Sequence, residues 1–243
     1  VRAADALVAW ERAGRVPPAR RGTELLTAVA DAAVDPDDLP VGRRDALLLD
    51  LYRDAFGDRL DALAACPSCG VVVEVVASCT GLLSAAAPEP VAPVSLDGYH
   101  VVWRPVTGAD LAALADAADS TPPDPDAAAA ALLRRCLVEA HGPAGPVPDA
   151  RLPEPVRAAV VDAMARADPY AEIAFAVRCP DCGVAWESQL DVAAFVWARV
   201  QARAHQVLHE VHTLAAAYGW TEPEVLALSE PRRAAYLRLV GDG

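Results

Sequence analysis

Cys66-Pro67-Ser68-Cys69-Gly70 and Cys179-Pro180-Asp181-Cys182-Gly183 are one short phrase written twice, far apart in the chain. In each, two thiols stand two residues apart on a tight turn, the spacing at which both sulfurs reach one tetrahedral ion. The glycine that follows lets the turn close with φ > 0. Each phrase is half of a metal site. The simplest completion is a single site in which one structural Zn²⁺, held by Cys66, Cys69, Cys179 and Cys182, ties the first third of the chain to the last third.

Other uses of paired cysteines need a different context. A redox-active turn wants a strand before it and a long helix starting at its second cysteine. Here the first pair runs into Val71-Val72-Val73-Glu74-Val75-Val76 and the second into Val184-Ala185-Trp186-Glu187. Both read as strands leaving the turn, as in the hairpins of a zinc ribbon, and no helix dipole acidifies a thiol. Disulfides within or between the pairs, or an empty or remnant site, are the remaining alternatives. Cys79 and Cys136 read as small buried hydrophobes.

The chain has 243 residues, 54% of them hydrophobic, enough for one large core or two modest ones. Acidic residues outnumber basic ones 34 to 21, for a formal charge of -13. Phosphate binding needs clustered Lys and Arg, so nucleic acid is excluded as a partner. No run of eighteen apolar residues occurs, which predicts no membrane segment, and Val1-Arg2-Ala3-Ala4-Asp5 reads as the start of an amphipathic helix, not a secretory signal. Cysteines reserved for metal fit a reducing compartment, and the reading is cytoplasmic.

Taken in order, residues 1–65 read as an N-terminal helical domain whose last turn, with Leu60, Leu63 and Ala64, feeds the first cysteine pair. Residues 66–110 and 170–190 read as a zinc-ribbon-like β unit. It includes a strand at Tyr99–Arg104 and a capping box in which Asp110 serves Thr107. Residues 111–169 read as helices inserted into that unit, one of them running from Asp126 to His141. Residues 191–243 read as a C-terminal helical region. Its longest helix carries the stripe Phe195, Val196, Val200, Ala204, Val207, Leu208, Val211, Leu214 and Tyr218. Thr221 with Glu224, then Ser229, start two short helices. The fold class is therefore α+β and mainly helical, with terminal helices flanking a small β unit.

His205, His209 and His212 share a helical face but lack the Glu of a His-Glu-x-x-His sequence, so buried or boundary histidines bonded to neighbouring helices fit better than a second metal or a metalloenzyme. Glu210, Glu222, Glu224 and Glu230 with Arg232 and Arg233 read as caps and surface pairs. No phosphate-binding glycine loop or nucleophile turn is present. Four thiolates also leave a zinc ion no open position for water. The sequence offers no carrier of catalysis.

Several blocks together resemble a known family. They are Arg43-Arg44-Asp45-Ala46-Leu47-Leu48-Leu49, Phe56-Gly57, the two cysteine turns, and Trp103-Arg104-Pro105 with Thr107, Asp110 and Leu111. At the C-terminal end they continue as Glu210-Val211-His212 with Leu214, Ala215, Tyr218-Gly219-Trp220 and Glu222, then Leu228-Ser229 with Arg232-Arg233 and Tyr236-Leu237. This pattern resembles the base plate proteins of T4-type bacteriophages, whose relatives accompany phage-tail-like contractile injection systems. The resemblance implies a structural or assembly role, with base plate or hub proteins of a contractile tail as partners and possible incorporation into a phage-tail-like particle. It supplies no catalytic residues. Interaction residues are expected at His212, Tyr218, Trp220, Arg232, Arg233 and Tyr236. Without the resemblance, the same features describe a zinc-ribbon adaptor for some other protein.

Overall fold

The computed structural model describes residues 3–29, 35–85, 87–117, 124–147 and 151–241. In chain order the elements are α1 (Ala3–Gly14), α2 (Pro18–Val29), α3 (Val41–Phe56), β1 (Arg59–Ala65), β2 (Val72–Ser78), α4 (Cys79–Ser84), β3 (Val94–Leu96) and β4 (Tyr99–Trp103). They continue as α5 (Gly108–Ala117), α6 (Pro125–Cys136), β5 (Leu137–Gly142), β6 (Gly145–Pro146), α7 (Glu154–Ala167), a 3-10 turn (Pro169–Ala171), β7 (Ala174–Arg178), β8 (Ala185–Gln189), α8 (Val192–Tyr218), α9 (Glu222–Ala227) and α10 (Glu230–Gly241). The class is α+β with helices at both ends. Among the described residues no helix is long and apolar enough to cross a membrane.

The chain divides into two compact units, residues 1–31 with 193–243 and residues 32–192. The span 1–65 is thus shared: α1 and α2 belong to the first unit, α3 and β1 to the second. In the first unit the three-to-four-residue recurrence of α8 is its buried face. Ala3 and Leu7 of α1 pack on Ala204, Val207, Val211 and Leu214, and Val225 of α9 completes the cluster. Leu208 and Tyr218, expected on the same stripe, are exposed. Gly219, at φ 69, ends α8. Glu224 then accepts the backbone N–H and the hydroxyl of Thr221, each at 2.8 Å, starting α9 as expected.

Among the described residues the second unit holds three antiparallel sheets: the hairpin β1-β2, the hairpin β7-β8 and a four-stranded sheet ordered β3-β4-β5-β6. α7 covers the last of these, with Val156 and Val160 against Val101 and Trp103. Two helical expectations are corrected. Residues 59–65 form a strand. Leu60 and Ala64, four residues apart, share a face in a helix and in a strand alike; Leu63 decides, since a helix would bury it beside them and it is 75% exposed. The pairing demand of β2 overrides the helical pattern, and Asp58 pins the junction by accepting bonds from Ser78 and Thr80.

The helix expected to reach His141 ends at Cys136, and Leu137 turns extended with ψ 121. Residues 137–141 pair instead with β4, supplying the ladder that β4 needs. The inserted segment 111–169 thus contributes strands as well as helices, and β4 belongs to their sheet, not to the cysteine hairpins. Asp110 does serve Thr107, and it does more. Its buried carboxylate also takes Arg104 at 2.5 and 2.9 Å and Arg135 at 2.9 Å. Arg104, the Thr107 amide and Arg135 hold this carboxyl well below the usual range, and they lock β4, α5 and α6 at one point.

α3 begins after Pro40, whose side chain cannot cap it. Asp168 performs that task from the far end of α7, accepting the Gly42 N–H at 2.9 Å. The approach is so close that a Cβ at position 42 would stand 2.5 Å from the Ala171 amide nitrogen and collide with the Asp168 carboxylate. Replacing Asp168 with Ala is therefore expected to cost about 1 kcal/mol. Gly42→Ala is expected to cost about 3 kcal/mol through overpacking. Urea unfolding of the two variants checks the order.

Candidate metal centre

The two cysteine turns are built alike. The Cys66 N–H donates to the Val71 carbonyl at 2.8 Å and the Gly70 N–H to the Cys66 carbonyl at 2.9 Å. In the second turn the Cys179 N–H donates to Val184 at 2.8 Å and the Gly183 N–H to Cys179 at 3.1 Å. Gly70 and Gly183 have φ 76 and 75. Nothing lies within 4 Å of a Cβ built at either, so the need for glycine is conformational, not steric. The flanking hairpins β1-β2 and β7-β8 aim both turns at one place.

There the four sulfurs converge. Cys66 Sγ is 3.6 Å from Cys182 Sγ and Cys69 Sγ is 3.5 Å from Cys179 Sγ. All four lie within 4.8 Å of one another. A tetrahedron of sulfurs at ~2.3 Å from a central ion has edges of about 3.8 Å, so the set fits zinc. The distances are far beyond the ~2.05 Å of a disulfide, and all six cysteines are free thiols. Cys66 and Cys179 are buried residues, while Cys69 and Cys182 are exposed ones whose sulfurs still reach the cluster.

Electrostatics favour a cation at the centre. The amide N–H groups of Cys69 and Ser68 hold the Cys66 thiol down at about 6. Cys69 has the Val71 amide in its favour, yet the thiols of Cys179, Cys182 and Cys66, with burial, push it up to about 12. Protons therefore do not leave all four sulfurs together unaided. A dication held by the four sulfurs would supply the missing charge and release the remaining protons. With four protein ligands it would have no open coordination position, and it would join positions 66 and 182, 116 residues apart in the chain.

The other expected site residues scatter differently. His205, His209 and His212 are all exposed, which corrects the expectation of buried or boundary histidines bonded to neighbouring helices. His205 meets Trp10 edge-on, with ring centroids 5.5 Å apart. Among the described residues, the four cysteines are the only group of three or more side chains placed to share a metal. Tyr218, Trp220 and Tyr236 do come together, with centroids 4.8 to 5.7 Å apart. Arg232 is exposed.

Arg233 is not a surface contact. It is buried against Glu210 at 2.9 Å and also donates to the Leu228 carbonyl, while Arg203 joins Glu210 to Glu230. Reading Glu210 and Arg233 as surface charges missed this network. The available signal was that Glu210 lies three residues after Val207 and four before Leu214, on the buried stripe of α8.

Cys182→Ser leaves three thiolates and an exchangeable fourth position. It is expected to reduce bound zinc well below one per chain and to lower Tm by about 10 °C or more. Cys136→Ala, far from the site, should leave the zinc content unchanged. Metal analysis and thermal unfolding of the purified variants check both. No family model, curated protein or solved structure matches this chain.

Proposed function

We propose that the protein is a metal-clasped, non-enzymatic interaction protein, a scaffold that one structural zinc ion holds in shape for binding another protein. The observation that carries this reading is the closure of the four thiols around a single point. A site of that kind stores folding free energy and leaves no coordination position for substrate. The partner is then a protein. The excess of 34 acidic over 21 basic residues disfavours nucleic acid.

The base plate resemblance gives this scaffold a setting. On that basis the partner is a component of the base plate or hub of a contractile phage tail or injection system, and the protein forms or assembles that structure. The geometry supports the broader adaptor role, with a partner outside any tail, better than it supports the tail setting, which rests on the resemblance alone. Affinity capture with purified base plate and hub proteins, together with electron microscopy of particles from a deletion strain, separates the two. Retention of a base plate component and defective tails are expected. Normal particles and no retained component would remove the tail assignment.

A further inference from the structure

Among the described residues β2 has a single strand neighbour, β1. The Cys66 N–H donates to the Val71 carbonyl at one end of this hairpin and the Cys79 N–H to the Asp58 carbonyl at the other. Antiparallel ladders alternate, so the hydrogen-bonded pairs between them are Ala64–Val73, Ala62–Val75 and Leu60–Ala77. Val72, Glu74 and Val76 belong to the other set. Their N–H and C=O groups point away from β1, along the outer edge of β2. Among the described residues no turn, loop or side-chain bond reaches them. On the outer edge of β1 the first outward carbonyl, that of Arg59, already accepts the Tyr52 hydroxyl at 3.0 Å.

The same residues carry an exposed apolar face. Val72 and Val76 are 60% and 53% exposed and flank Glu74 on the strand, and Leu63 lies directly opposite Glu74. Glu74 has no ion pair among the described residues. The sister hairpin shows that a cysteine turn does not require such a face: its solvent side carries Ala176, Arg178, Ala185 and Glu187. Edge strands are usually blunted by charged side chains, Pro or a bulge; β2, Val-Val-Glu-Val-Val-Ala-Ser, has no Pro and no bulge, and its one charge is Glu74.

Charge selects the occupant. A second copy pairing antiparallel about Glu74 would set that carboxylate against its twin, and a net charge of -13 adds to the repulsion. A basic residue reverses the sign. The geometry points to strand addition on the outer edge of β2 by an extended partner segment with apolar, basic and apolar residues at alternate positions, the basic side chain seated on Glu74 between Val72 and Val76. This deepens the interaction role proposed above and rests on it.

The test titrates the full zinc-loaded chain with a labelled synthetic peptide, Thr-Val-Thr-Lys-Thr-Val-Thr, and with its counterpart carrying Glu at the centre. The lysine peptide is expected to bind about tenfold more tightly, with amide shifts at residues 72–76. Glu74→Lys should invert the preference and Glu74→Gln should nearly abolish it, zinc content reporting that both variants fold. Absence of binding by either peptide at about 1 mM, or a preference unmoved by both variants, overturns the proposal. Retention of base plate components without any peptide preference likewise removes the edge site and leaves the interaction role. A peptide preference that inverts with Glu74→Lys, with no base plate component retained, upholds the edge site and removes that partner.

Discussion

Four thiol sulfurs within 4.8 Å of one another form the contact on which the second unit depends. Neither hairpin is self-sufficient, because a two-stranded ribbon is marginal in water without further packing. Each needs the other, and the sulfurs that bring them together repel once ionised. A central dication would turn that repulsion into attraction. Between the two cysteine turns lie α4 to α7 and the four-stranded sheet, so one ion bound there would close a loop that packing alone must otherwise hold.

Away from the clasp, buried charge holds the junctions that regular structure leaves open. Asp110 gathers Arg104 and Arg135 where β4 ends and two helices meet. Asp168 reaches 126 residues back to finish a helix that Pro40 cannot cap. Glu210 fixes Arg233 and Arg203 in the first unit. At Asp110 and Glu210 arginines satisfy a buried carboxylate, and at Asp168 a carboxylate satisfies a helix-start N–H, groups that would be costly to bury alone. These nodes set where helices begin and end, while apolar contact sets which faces meet.

Much of this was legible in the sequence because the relevant signals are local. The cysteine spacing, the Thr221–Glu224 box and the periodicity of α8 each lie within a few residues. The strands β1 and β5 were not legible, since Leu60 and Ala64 satisfy both helical and strand periods and only pairing with a distant segment chooses between them. The Asp168 cap has no local signature at all. Arg233 was misread because its partner sits on another helix, and the three histidines because an apolar neighbour in sequence need not share a face in space.

In the proposed reading the four-cysteine clasp is structural, and function lies on surfaces it holds in place, such as the outer edge of β2. Everything then turns on the ion and its donors. X-ray absorption at the zinc edge of the purified protein tests this most directly. The account predicts four sulfur neighbours at about 2.3 Å and no nitrogen or oxygen shell. A first shell containing imidazole nitrogen or water oxygen would contradict it.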